Sequence, residues 1–357
     1  MNDFRQFEKI VVVTGGAGFI GSNLLLRLVP RYPEYLFINV DALTYAGNLK
    51  NLSSLESADN YIFRNIDITD ATGLEALFSE FGVTHVLHLA AESHVDRSIK
   101  DPLLFVRTNV LGTVNLLNTA LAKWEGNFSD RLFYHISTDE VYGSLSATDS
   151  PFTENTPYDP HSPYSASKAG SDHFVRAYHD TYGLPTIISN CSNNYGPYQF
   201  PEKLIPLCIL NILQGRDIPI YGDGCQVRDW LYVDDHVDAI DAILHKGKVG
   251  ETYNIGGNNE MRNIDMIKMI ISLMDKEMGN SDGHSLNLMT FVRDRLGHDV
   301  RYAIDASRLR NEIGFVPRYL PEEGLQHTVE WYLQHQDWLK EIISGEYKDY
   351  YRKMYDL

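Results

Sequence analysis

Cysteine is scarce. Cys191, Cys208 and Cys225 are the only three in 357 residues, and none stands in a C-x-x-C spacing, so neither a disulfide framework nor a zinc site is indicated. Reduced, structural thiols are expected. Positive charge is also short: 31 Lys and Arg face 48 Asp and Glu, a net charge of −17. Such a chain is poorly suited to nonspecific contact with nucleic acid or an anionic membrane, and an anionic substrate must find a local basic pocket. No apolar run is long enough to span a bilayer, and the polar Met1–Lys9 stretch contains no signal-like apolar core. The expected location is the cytoplasm. Internal repeats and low-complexity tracts are missing as well. The chain is long enough to bury a full core as one large domain with a smaller lobe, or as two domains.

What is present is a regular alternation. Ile10–Thr14, Tyr35–Val40, Tyr61–Asn65, Val83–Leu89, Arg131–Ile136 and Leu184–Ser189 read as strands. Helical patterns separate them, among them Thr69–Phe81, Ser98–Trp124 and the stretch from Pro163 to Tyr182. This predicts an α/β fold with a parallel, doubly wound sheet. Past Asn190 the pattern becomes irregular, with a helix expected from Lys203 to Gln214, short strands near Pro219–Tyr221 and around Gly222–Trp230, and helices after Asp305. Phe152–Ser162, rich in Pro, Tyr and Asp, reads as a loop covering a site.

After the first strand comes Gly15-Gly16-Ala17-Gly18-Phe19-Ile20-Gly21. Gly15, Gly18 and Gly21, spaced three apart between a strand and a helix, suit a tight turn, close approach of a pyrophosphate, and helix packing on the strand. The second strand ends at Asp41, about twenty residues on, where an acid can bond ribose hydroxyls; together these predict a dinucleotide, and the acid favours NAD over NADP. Asp67 ends the third strand and is placed to meet the adenine, a role compatible with its also capping the helix over Thr69–Phe81. His94 and Asp96 lack a matching ligand cluster, so no metal is expected.

A second concentration of chemistry lies between Ile136 and Lys168. Tyr164 and Lys168, four residues apart on a helix, share one face, and an ammonium beside a phenol favours its ionised form. Asp139 and Glu140 follow a strand's carboxyl end, where open α/β sheets carry their chemistry. Lys203, Arg228 and Arg295 are candidate anion clamps.

With these residues together, the chain resembles the extended short-chain dehydrogenase/reductases, and among them the branch that dehydrates nucleotide sugars. The likeness runs from Val11 to about Tyr332. It rests on Thr14–Gly21, on Asp41-Ala42-Leu43-Thr44-Tyr45-Ala46-Gly47-Asn48, on Leu89–Ser98, on Ser137–Gly143 and on Asn190–Pro197. The triplet Thr138-Asp139-Glu140 discriminates, because related epimerases lack the adjacent acid pair. The resemblance implies a Rossmann-type domain over 1–190, rejoined by segments near 227–260, with 191–357 mainly a smaller mixed α/β lobe for a nucleotide sugar. It implies NAD contacts from Phe19, Ile20, Asp41, Leu43, Thr44, Asp67, Ile68, Leu89, Ala91, Thr108, Tyr164, Lys168 and Asn194. Substrate contacts are implied for Ser93, Thr138, Asn193, Lys203, Leu204, Pro219, Tyr221, Arg228, Asn263, Arg295 and His298.

The implied reaction is a dehydration of dTDP-glucose. Tyr164, kept acidic by Lys168, takes the C4 hydroxyl proton while Thr138 bonds the C4 oxygen; Glu140 removes the C5 proton and Asp139, protonated, serves the leaving C6 hydroxyl. The alternatives are a nucleotide-sugar 4-epimerase and a noncatalytic NAD-binding protein. A homodimer through the helices Ser98–Trp124 and Pro163–Tyr182 is implied too. Two departures stand out: Leu296 replaces a Pro usual in the Asp-Arg-Pro-Gly-His segment, and the loop from Gly143 to Phe152 looks short.

Overall fold

The structure, a computed structural model, describes residues 4–295 and 297–343. The chain begins with β1 (Lys9–Thr14), α1 (Phe19–Arg31), β2 (Tyr35–Val40), β3 (Tyr61–Arg64), α2 (Ala71–Phe81) and β4 (His85–His88). Three helices follow, α3 (Val95–Lys100), α4 (Pro102–Phe105) and α5 (Thr113–Trp124), then β5 (Leu132–Thr138), α6 (Pro163–Tyr182), β6 (Thr186–Cys191) and β7 (Asn193–Tyr195). The remainder comprises α7 (Leu204–Gln214), β8 (Ile218–Tyr221), β9 (Val227–Tyr232), α8 (Val233–Lys246), β10 (Thr252–Ile255) and β11 (Glu260–Arg262). It closes with α9 (Asn263–Glu277), β12 (Met289–Val292), α10 (Pro321–Gln334) and α11 (Gln336–Ile342).

Seven strands form one parallel sheet in the order β10-β6-β5-β4-β1-β2-β3. The cause is visible in β1, where Val11 and Val13 pack into one apolar cluster and Ile10 and Val12 into another. A strand apolar on both sides must be covered on both. Leu24, Leu25 and Leu28 of α1 with Val237, Ile240 and Ile243 of α8 cover one face. Leu74 and Phe78 of α2, Leu116 and Leu117 of α5 and Val175 of α6 cover the other. Strand order reverses between β1 and β4, and this switch point opens a crevice at the carboxyl ends of the strands.

A third apolar cluster joins α7, α9 and α10 through residues such as Ile209, Ile270, Met274 and Val329, together with Trp230 and Tyr232 of β9. Beside it lie a three-stranded sheet, β11-β9-β7, and a two-stranded sheet, β12-β8.

The single helix expected over Ser98–Trp124 is broken. Pro102 has no N–H for the helical ladder and its ring crowds the preceding turn. Asp101 takes φ −136° and its side chain accepts the Leu104 N–H at 3.3 Å, restarting the chain as α4. Val106–Gly112 is then π-helical before α5 begins. This wider turn brings Asn109 against the end of β4, where its amide accepts the Glu92 N–H at 2.9 Å and donates to the Glu92 carbonyl at 3.0 Å.

The loop Phe152–Ser162 does not line the crevice. It is pinned to the segment after β12, with the Phe152 N–H donating to the Ala303 carbonyl at 2.9 Å, because Phe152 and Ile304 bury together. The short loop after Gly143 is tied the same way, the Leu145 N–H donating to the Arg301 carbonyl at 3.0 Å. Leu296 and the tail after Ile343 lie outside the described residues.

Candidate active site

The crevice holds a cleft of about 360 Å3, within the range of small-molecule sites. Its floor is the glycine turn. Gly15 adopts φ +70°, and a Cβ there would stand 2.8 Å from the Ala90 backbone, so β1 and the end of β4 meet only because the side chain is missing. A Cβ on Gly21 would overlap the Gly15 carbonyl. Gly18 caps α1 with no side-chain acceptor, leaving the first amides of a 13-residue helix for an anion. Asp41 is held by two backbone donors, the Ala17 N–H at 2.9 Å and the Leu43 N–H at 2.8 Å. Burial pushes its carboxyl above the usual range while these bonds oppose the shift. An uncapped helix N-terminus, an approach open only to glycine and a fixed carboxylate at the second strand's end fit a dinucleotide.

Gly15, Gly18, Phe19, Ile20, Gly21, Asp41, Thr44, Asp67 and Ile68 line the cleft on this side. Leu89, Ala91, Thr108, Tyr164, Lys168 and Asn194 line the rest of the expected cofactor surface. Leu43 does not; at φ +53° and 37% exposed, it turns outward after giving its N–H to Asp41. Asp67 accepts the Thr69 N–H and hydroxyl, both at 2.8 Å, and the cap of α2 is Asp70 instead.

At the other end of the cleft β5 stops at Thr138 and turns into a short 3-10 segment, Asp139–Tyr142. Thr138 Oγ1 accepts the Glu140 N–H at 3.3 Å, which fixes the two acids in direction. Asp139 is 1% exposed, and its Oδ2 has no hydrogen-bond partner among the described residues. Burial, then the neighbouring Glu140 and Asp229, push its carboxyl well above the ordinary value. Glu140 is also raised by burial, but Arg295, Lys203 and Arg228 pull the other way. Two adjacent carboxyls thus stand in unlike surroundings, both disfavoured as anions by burial but only Glu140 with three cations opposing that shift.

Tyr164 enters at the first turn of α6, where Pro163 and a Ser162–Ser165 capping box fix the helix start. Its phenol does not follow the expectation. Burial and the nearby Glu140 push it well above the usual value, with the Thr138 hydroxyl opposing. Lys168, expected to lower it, gives its ammonium to the Ile136 carbonyl at 2.9 Å. Sharing a helical face did not reveal that carbonyl.

Of the expected substrate residues, Ser93, Thr138, Asn193 and Lys203 line the cleft, and Lys203 Nζ donates to the Ser93 carbonyl at 2.8 Å. Arg228 and Arg295 stand outside the lining yet act on Glu140. Arg228 is buried over the Tyr302 ring at 4.2 Å and donates to the Asp299 carbonyl at 3.0 Å. Tyr221 OH donates to Asp96 at 3.3 Å, and its ring meets His298 edge-on at 6.3 Å. Leu204, Pro219 and Asn263 also lie off the cleft, on α7, β8 and α9.

Two cleft acids escaped sequence reasoning. Glu92 follows Ala91 directly, and its Oε2 is buried with no hydrogen-bond partner among the described residues. Its place after a strand's end was the available signal. Glu202 accepts the Tyr45 hydroxyl at 2.8 Å, and burial pushes its carboxyl up to about 7. Tyr45 is 157 residues away, so no local pattern announces the contact.

Residues 12–328 match the family model described as GDP-mannose 4,6 dehydratase. The dTDP-glucose 4,6-dehydratase of Neisseria meningitidis serogroup B is 51% identical over 345 residues, covering 95% of this chain and 97% of its own. The dTDP-glucose 4,6-dehydratase of Streptomyces venezuelae, solved with NAD bound, is 42% identical with a TM-score of 0.85, covering 93% of this chain and 99% of its own. A UDP-glucose 4-epimerase of Thermotoga maritima is more distant, at 29% identity and a TM-score of 0.80, covering 92% of this chain and 99% of its own. The chain belongs to the GDP-mannose 4,6 dehydratase family, and within it stands with the dTDP-glucose 4,6-dehydratases.

Proposed function

We propose that the chain converts dTDP-glucose to dTDP-4-keto-6-deoxyglucose with a tightly held NAD, in the cytoplasm, as a homodimer. The observation that carries this reading is the pair Asp139 and Glu140 in one cleft with Tyr164, the two acids in unlike surroundings. Proton abstraction from an alcohol needs one base; the loss of water that follows needs a base for a C–H and an acid for a leaving hydroxyl. The glycine turn, the α1 N-terminus and Asp41 hold the dinucleotide, with Lys168 and Asn194 on the opposite wall.

Bound NAD would supply acceptance of the C4 hydride and its return to C6, and its positive charge would oppose the burial that disfavours a Tyr164 phenolate. Tyr164 takes the C4 hydroxyl proton, with Thr138 donating to the C4 oxygen. The 4-ketone acidifies C5–H, and Glu140, kept ionisable by Lys203, Arg228 and Arg295, removes that proton. Asp139, kept protonated by burial, donates to the departing C6 hydroxyl. Glu140 then returns a proton to C5. Redox change at C4 and C6 cancels, so no cofactor is consumed.

The domain division follows the same logic. Residues 1–190, rejoined by the segment near 227–260 whose α8 and β10 pack on and extend the seven-stranded sheet, form the NAD-binding unit, and the rest of 191–357 serves the nucleotide sugar. The dimer face is the one presented by α3 to α6, where Leu103, Val106, Leu111 and Phe174 are 67%, 50%, 48% and 42% exposed.

The test is incubation with dTDP-glucose in deuterated water without added cofactor, followed by mass spectrometry. Loss of water with one deuterium at C5 is the expected result. A C4 epimer without deuterium, or unchanged sugar, overturns the reading.

A further inference from the structure

Behind the cleft a second cavity, about 280 Å3, is lined by Tyr158, Asp172, His173, Arg176, Thr252 and Arg308 among others. None of its lining residues lines the cleft. Asp172 sits between the two. It lies one turn beyond Lys168 on α6, 2% exposed. Ser137, a cleft residue, donates its hydroxyl to Asp172 Oδ2 at 2.8 Å, and Tyr158, a residue of the rear cavity, donates to the same oxygen at 3.0 Å. His135 Nε2 stands 3.0 Å from Asp172 Oδ1 and 3.5 Å from Lys168 Nζ, so the carboxylate and the ammonium lie close to one ring nitrogen and within Coulombic reach of each other.

Burial disfavours the Lys168 charge, and Asp172 is the main group supporting it. A buried ammonium without a counter-charge gives up its proton. We infer that Asp172 is a positioning residue that keeps Lys168 protonated and aimed at the cleft, and that its own proton exchanges with solvent through the rear cavity. This rests on the proposed function, in which Lys168 lines the part of the cleft that holds the dinucleotide. The groups facing Asp172 are Lys168, His173 and Arg176 from its own helix, His135 and Ser137 from β5, and Tyr158 from the loop. Glu154, Glu251 and Arg308 complete the rear cavity.

Burial pushes the Asp172 carboxyl up to about 6, with Lys168, Ser137 and Tyr158 opposing. The sign follows. Above that pH Asp172 is charged and Lys168 keeps its partner; below it the partner is lost and turnover falls. Because the rear cavity is separate, this titration persists while the cleft is engaged.

The experiment measures turnover of dTDP-glucose against pH for the full-length wild type, Asp172→Asn and Tyr158→Phe. Asp172→Asn is expected to lower kcat by about 10- to 100-fold, to abolish the acid limb near pH 6, and to leave KM within about twofold. Tyr158→Phe removes one donor to the carboxylate, so its acid limb moves to higher pH with little change in the plateau. This second variant carries the test if Asp172→Asn does not fold. An acid limb unchanged from wild type in either folded variant overturns the inference and leaves the functional reading intact. A wild type that does not convert dTDP-glucose overturns both.

Discussion

Asp139 and Glu140 are neighbours in sequence and opposites in environment. The first is sealed at 1% exposure with Oδ2 unbonded among the described residues; the second has three cations, Arg295, Lys203 and Arg228, drawing it toward ionisation. A pair this close titrates as a unit, and the surroundings favour charge on Glu140 over charge on Asp139.

Asp139→Asn retains shape and removes the transferable proton. The overall rate should fall by roughly 10²- to 10⁴-fold, the span of a general acid. Oxidation at C4 should survive, so the reduced-nicotinamide absorbance should build up on mixing with dTDP-glucose. A variant as active as wild type would point to an epimerase.

Glu140→Gln should stop exchange at C5. In deuterated water the residual product should form at least about 100-fold more slowly. Deuterium entering C5 at the wild-type rate would assign that proton to another base.

Asp41→Ala removes the acceptor that ties Ala17 and Leu43 to the cofactor floor. A hydrogen bond to a charged group is worth about 1.5–3 kcal/mol, so NAD should bind roughly 10- to 100-fold more weakly. The purified variant should carry little NAD, and titration calorimetry should show discrimination against NADP reduced. Undiminished NAD content would remove Asp41 from the cofactor site.

Leu103→Asp places a charge on the most exposed apolar side chain of the α3–α6 face. Light scattering should report half the wild-type mass. An unchanged mass would place the dimer contact elsewhere.

Much of this architecture could be read locally. The turn Gly15–Gly21, the acid at the end of β2 and the pair Tyr164 and Lys168 each lie within one element and its flanks, where spacing alone carries the physics. The break at Pro102 was also local, and the apolar period through Ser98–Trp124 hid it. Other features depended on distance. The partner of Glu202 is Tyr45, and the cations around Glu140 come from β9, the α7 cap and the segment after β12. The state of Tyr164 depended on burial, which a shared helical face does not report.

The pairing of β10 with β6 sets a timetable for synthesis. Thr252 completes an edge begun at Ile188, and the intervening chain builds α7, β8, β9 and α8 first. About 60 residues separate β6 from β10, so at roughly 5–20 residues per second the edge waits about 3–12 s on the ribosome. Through that interval the nascent chain presents an open parallel strand, a template for wrong partners. A fragment ending at β6 should therefore aggregate more readily on refolding than the full chain, a difference light scattering would report.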